Sequence, residues 1–208
     1  MDRDAYTAAH ITVLSFEESV RKRTGMYFGV APDNPDLPAS ILWCVIEDAL
    51  HPAGGGHCTV DVEITADLCF TVTDDQPPSL DDLGEPKPGF YDSLLDRRRW
   101  ALAAAAALSS RTVVEVRVGG RGWRQELTGT APARPEPFTA SGEADGSRVA
   151  FKLDPALLAT GAVIATSPDH LRARDDGCAA CPGPPRSEAL TIRDRRGAQP
   201  PAPERSHG

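Results

Sequence analysis

A chain of 208 residues, 40% hydrophobic and 25% charged, has the composition of a globular protein and the length of one domain with a tail. A formal net charge of -8 excludes a global positive field that holds nucleic acid by neutralising phosphates, so no DNA binding is expected of the chain alone. No apolar run approaches the ~20 residues that cross a bilayer. The opening MDRDAYTAAH lacks the apolar core of a signal peptide, so a cytoplasmic location with no membrane contact is expected.

In chain order, Ser15 or Phe16 starts a short helix with Glu17 and Glu18 in its first turn and Arg21, Lys22 and Arg23 in its last, as the helix dipole favours, and Gly25 is expected to stop it. After a turn-rich stretch, Ser40 is the expected N-cap of a second helix, because Ile41, Leu42, Val45, Ile46, Ala49 and Leu50 line one helical face. Pro52 and Gly54 to Gly56 end it. Val60, Val62 and Ile64, then Leu68, Phe70 and Val72, alternate with a period of two about Thr65-Ala66-Asp67 and predict a hairpin or meander. Residues 74 to 96 are rich in Asp, Pro and Gly and read as an irregular loop. Trp100 to Leu108, with five consecutive alanines, reads as a small-faced helix that packs closely on a sheet. Strand signals follow at Val114 to Val118, Trp123 to Leu127 and Val149 to Leu153. The order predicts an α+β fold, a two-layer sandwich with one antiparallel or mixed sheet covered by helices. Beyond Asp194 the polar, proline-rich stretch predicts a disordered tail.

Five cysteines, odd in number and irregularly spaced, form no disulfide framework. Cys178 and Cys181 make a CxxC, but with His170 the nearest histidine and no other ligand close by it reads as a loop-borne pair rather than a zinc site.

The segment AYTAAHITVLSFEESVRKRTGMYFG resembles the opening of the DNA gyrase B subunit and of the matching topoisomerase IV subunit, whose pattern runs Y-x-A-x-x-I-x-V-L, then V-R-K-R-P-G-M-Y-I-G. Later segments are also similar to that family: a helix at 41 to 51, the strand ending TVTDD, a helix leading into VEVRVGGRGWRQEL, and DGSRVAFKLDPALL. The resemblance covers roughly residues 5 to 195. It implies the GHKL (Bergerat) ATPase-like fold that gyrase shares with sensor kinases and mismatch-repair proteins. It also implies a division into an N-terminal arm and first helix (1–30), a gyrase-B-like domain (31–194) and a tail (195–208).

The family's ATP-site helix reads E-x-x-D-N-x-x-D-E-A, and here that stretch is CVIEDALHPA. Cys44 takes the place of the general base. A thiol with a pKa near about 8.5 is mostly neutral and a poor base, and a small helix residue is the bland alternative. Asp48 takes the place of the magnesium-ligating asparagine; a carboxylate can ligate the ion but adds negative charge beside a triphosphate. A Cys44–His51 nucleophile and base pair is disfavoured because seven helical positions separate them by about 10 Å. Asp74 stands where the family's aspartate binds adenine, with a strand-end turn residue as the alternative. Gln76, Pro77 and Pro78 replace the glycines and arginine that follow it, and Pro52 replaces the glutamate that pairs with that arginine. Ser147 stands where a threonine completes the adenine contact, or is a turn serine after Asp-Gly. The family's glycine-rich phosphate lid is replaced by LLDRRRWALAAAA; Arg97, Arg98 and Arg99 read as a solvated face that is able to meet an anion. Tyr6 and Ile11 lie in the arm through which family members pair, and the resemblance makes Tyr6 a candidate nucleotide contact beside Asp48, Asp74 and Ser147. The implied ligands are thus ATP with magnesium, and the implied associations a gyrase subunit or a second copy. Impaired hydrolysis is expected, with a regulatory or interaction role, or a pocket repurposed for another small molecule or a non-ATPase reaction, as the alternatives.

Overall fold

Ser15 caps the first helix as its sequence implies: its hydroxyl accepts from Glu18 N while the Glu18 carboxylate accepts from Ser15 N, and α1 runs Phe16–Lys22. The computed structural model describes residues 13–51, 58–165 and 189–197. Tyr6, Ile11, the stretch from Pro52 to His57, His170, the Cys178/Cys181 pair and the tail beyond Gly197 lie outside the described residues.

Gly25 does not stop the chain. It lies inside a second short helix, α2 (Thr24–Phe28), and the stop falls at Gly29, whose left-handed backbone (φ 74°) suits a residue without a Cβ. Helix α3 (Leu37–Leu50) starts one turn before Ser40, with Asp36 at its N-cap and Pro38 in its first turn, where a missing N–H costs nothing. Its face of Ile41, Leu42, Val45, Ile46 and Ala49 is buried as the spacing predicts. Helix α4 (Trp100–Ala107) is buried on all sides from Ala101 to Ala107, with only Trp100 exposed at its start. A run of alanines permits this, since each side chain demands little space and no polar face needs water. The carbonyls near its end are met by Arg21 Nε on Ala107 O (2.9 Å), Ser109 Oγ on Ala105 O (2.8 Å) and Tyr91 OH on Ala103 O (2.9 Å).

The strands are β1 (Val60–Ala66), β2 (Cys69–Asp74), β3 (Ser109–Val118), β4 (Arg121–Thr128), β5 (Ala131–Pro132), β6 (Glu136–Thr139), β7 (Gly146–Leu153) and β8 (Leu190–Asp194). They form one mixed sheet in the order β5-β4-β3-β7-β2-β1-β8, with β6 also on β4. All pairings are antiparallel except β1 with β8. One face meets the helices, α3 on β1 and β2 and α4 on β3 and β7. The other carries cross-strand ion pairs such as Arg124–Glu115, Arg111–Glu126 and Arg193–Asp61. The fold is therefore α+β, two layers with the core between them. β5, β6 and β8 were not expected; Leu190 and Ile192 in β8 do alternate, but the run is too short to stand out. Among the described residues no helix is long and apolar enough to cross a membrane.

Gly146 opens β7 at φ 141°, and a Cβ there would sit 2.1 Å from Asp74 O. Gly146→Ala is therefore expected to destabilise the fold by about 2–4 kcal/mol. Urea unfolding measures this, and an unchanged midpoint would contradict the close approach.

Candidate functional site

Strand register, not nearness in sequence, brings the site together. In the β2–β7 pairing Phe70 lies opposite Phe151, Val72 opposite Val149 and Asp74 opposite Ser147. The first two pairs feed the core, with the phenyl rings 5.0 Å apart, and pin the register, because a slip of one residue would turn these side chains to the wrong face. The third pair is thereby placed on the helical face at the edge of the core. Ser147 Oγ donates to Asp74 Oδ2 at 3.0 Å, and Gln76 N donates to Asp74 Oδ1 at 3.1 Å.

Between this pair and α3 stands Arg99, the last residue before α4. Contrary to a solvated face, its side chain is only 7% exposed. Nη2 lies 2.8 Å from Asp74 Oδ2, Nη1 donates to Ser147 Oγ at 2.9 Å, and Nε donates to Asp48 Oδ2 at 3.4 Å. The run divides: Arg97 and Arg98 are exposed, with Arg98 on Asp96 at 2.8 Å and on Pro77 O at 3.1 Å, while Arg99 is drawn inward. The signal for this in the sequence is slight: the alanine run that follows has no polar face and must be buried, so the residues leading into it pass close to the interior, but nothing in three consecutive arginines says which one turns inward. Gln76 is a second residue whose part sequence reasoning missed. Its Nε2 donates to Asp48 O (3.0 Å) and Ala49 O (2.7 Å), carbonyls at the end of α3 that would otherwise lack partners.

The arrangement holds two carboxylates against one guanidinium. Asp74 takes the shorter contact and two further donors, so Asp48 carries the surplus charge. Burial pushes the Asp48 carboxyl up from 3.8 to about 6, although Arg99 pulls it down. Beside the network remains a cavity of about 30 Å³, bordered by Pro77, Leu102 and Val116 as well as Arg99 and Ser147. That is about the share of one water molecule in the liquid.

The connection from β2 to α4 is anchored along its length. Ser79 N donates to Asp96 (3.2 Å), and Leu94 N donates to Gln125 Oε1 (2.7 Å), whose amide donates to Ala133 O (2.7 Å). Burial alone would raise the Asp96 carboxyl, but hydrogen bonds from Arg98 and Ser79 hold it at about 2. Tyr91 and Asp92 adopt left-handed backbone (φ 58° and 55°), which bends the segment sharply enough to return to the sheet.

Cys44 lies one turn before Asp48 on α3, half-buried, with its thiol 3.9 Å from Tyr27 O. His51 turns to Glu47, with Nδ1 3.0 Å from Glu47 O and 3.4 Å from its carboxylate, and is not brought to Cys44. Asp48, Asp74 and Ser147 are thus assembled around Arg99, while Cys44 stands apart against α2. Among the described residues no three His, Cys, Asp or Glu side chains converge as a metal site.

A native pKa above the unfolded value means that ionised Asp48 weakens the fold above pH about 6, and that this cost vanishes as pH falls toward 3.8. Asp48→Asn is expected to match or exceed the parent in stability above pH 6, by up to about 3 kcal/mol, with the difference closing toward pH 4. Urea midpoints across pH would show it; a deficit for Asp48→Asn that grows with pH would contradict it.

No family model matches the chain. Its sequence is 30% identical over 177 residues to the DNA gyrase B subunit of Mycobacterium tuberculosis (strain ATCC 25177 / H37Ra), covering 76% of this chain and 26% of that protein. It is 36% identical over 94 residues to the DNA topoisomerase 4 B subunit of Mycoplasma capricolum, covering 43% of this chain and 14% of that one. It is 38% identical over 73 residues to the DNA gyrase B subunit of Campylobacter jejuni, covering 35% and 9%. The chain thus spans about a quarter or less of the length of these relatives.

Proposed function

The chain belongs to the family formed by the B subunits of DNA gyrase and topoisomerase IV, as a divergent gyrase-B-like domain, and from that premise we propose that it does not turn over ATP and acts as a regulatory or interaction domain whose pocket is closed by its own Arg99. The observation that carries this proposal is the engagement of Asp74 and Ser147, the residues aligned with the family's adenine contacts, by the Arg99 guanidinium. The residues do not fit a bound nucleotide in this arrangement. Ligand pockets are roughly 300–1,000 Å³, whereas the cavity that the described residues leave beside Arg99 is about 30 Å³. Nor is Asp48 free to take magnesium in this arrangement, because it faces the Arg99 cation already.

Hydrolysis lacks support on independent grounds. At the general-base position Cys44 offers a thiol directed at a backbone carbonyl, and a general base typically contributes 10² to 10⁴ in rate. Where the family has a glycine-rich lid with backbone donors for developing phosphate charge, this chain has a segment fastened to the sheet by Gln125 and to itself by Asp96. Both losses bear on one transition state, so restoring one group recovers little. The net charge of -8 supports no tight DNA binding by the chain alone.

The test is steady-state phosphate release beside calorimetric titration with a non-hydrolysable ATP analogue and magnesium. Neither turnover nor a binding isotherm is expected, and Cys44→Glu should leave both unchanged. Turnover at gyrase-like rates would falsify the proposal, and nucleotide binding that Asp74→Ala abolishes would equally show that the pocket opens to adenine.

A further inference from the structure

The guanidinium of Arg99 is surrounded by acceptors. Each of its three nitrogens faces an oxygen: Nη2 lies 2.8 Å from Asp74 Oδ2, Nη1 donates to Ser147 Oγ at 2.9 Å and Nε donates to Asp48 Oδ2 at 3.4 Å. The neighbouring donors are already committed. Ser147 gives its proton to Asp74 at 3.0 Å, and the Gln76 amide donates to the carbonyls of Asp48 and Ala49. Asp96, the next carboxylate along the connection, is paired with Arg98 at 2.8 Å. Beside the group, Leu102, Val116 and Val149 wall the small cavity with buried aliphatic surface.

This donor and charge pattern selects a chemical class. With the arginine withdrawn, the side chains of Asp74 and Asp48, 1% and 13% exposed, would share the interior without a cation. A neutral heterocycle such as adenine leaves that charge in place and turns its own ring acceptors toward acceptors. Sodium or an ammonium ion is strongly hydrated and meets aliphatic walls, whereas a guanidinium is planar and weakly hydrated. The tether of Arg99 to the chain also leaves the fit incomplete, since Nη2 is buried without an aligned hydrogen bond despite its nearness to Asp74. We propose that the hollow is a binding site for planar amidinium cations and that Arg99 is its built-in occupant. The inference rests on the reading that Arg99 closes the pocket, and it adds the class of ligand that the pocket holds when the arginine leaves. In the intact protein Arg99 competes from within the same chain at high effective concentration, so a cation from outside enters only when that side chain is withdrawn.

The probe is guanidinium chloride, added to the full chain carrying Arg99→Ala at up to about 50 mM, where its denaturing effect is small. Urea, its planar neutral counterpart, and sodium chloride serve as controls. Guanidinium is expected to raise the melting temperature of Arg99→Ala saturably, by about 3 °C or more, while urea and sodium chloride do not and the parent protein does not respond. Adding Asp74→Asn should abolish the rise. Where Arg99→Ala is unfolded, guanidinium alone of the three additives should refold it, and Arg99→Ala with Asp48→Asn, which leaves one carboxylate for one cation, should show the same response. A rise below about 1 °C, an equal rise with sodium chloride or urea, a rise that survives Asp74→Asn, or an unfolded variant that guanidinium does not recover would each overturn the proposal. A non-hydrolysable ATP analogue, titrated in parallel, separates the two readings. Its binding to Arg99→Ala without a guanidinium response overturns the amidinium site and leaves the closed pocket standing, whereas its binding to the parent protein overturns the closed pocket itself.

Discussion

A guanidinium withdrawn from water must meet carboxylates in the protein, and at Arg99 this requirement organises the half of the molecule around α3, α4 and the first strands. Asp74 meets it at 2.8 Å and Asp48 at 3.4 Å, with Ser147 relaying a hydrogen bond between the cation and Asp74. Removing one partner of such a buried pair leaves the other charge unpaired, at a cost of about 3–5 kcal/mol. The register of β2 against β7, the starting point of α4 and the end of α3 are all constrained to deliver their side chains to this one place.

The path of the segment between β2 and α4 follows from the same requirement. It leaves Asp74 beneath the close approach of Gly146, caps α3 through Gln76, fastens itself to β4 through Gln125 and arrives at Arg99. The helix that follows can sit deep between α3 and the sheet only because it is built from alanines. On the reading proposed above, a side chain of the protein takes the hydrogen bonds that the resembling family directs to adenine, and the connection that would serve as a lid is a fixed wall.

Much of this was legible in the residues, for reasons that differ by element. Ser15 and Glu18 form a box whose geometry is local, and the alternation of β1 and β2 reports burial directly, so α1 and the hairpin were readable. Asp74, Ser147 and Asp48 were reached through motif alignment, and the structure brings them together. Arg99 was missed because three consecutive arginines carry no spacing signal; what separates Arg99 from Arg97 and Arg98 is the direction the chain takes into α4, a tertiary fact. Gly25 and Ser40 misled because each is a good local signal overridden by packing: Thr24 and Phe28 are buried in α2, and Leu37 and Pro38 are buried at the true start of α3. β8 is defined by its partner β1 across a long sequence interval, which no local pattern reveals.

The most direct test is a double-mutant cycle on stability between Arg99→Met and Asp74→Asn, measured by urea unfolding at neutral pH. If the guanidinium and the carboxylate form one buried unit, the two single variants each lose stability and the double variant loses much less than their sum, with a coupling of about 1–3 kcal/mol. Additivity within about 0.5 kcal/mol would show that Arg99 and Asp74 do not depend on each other, and would contradict a pocket closed by its own arginine.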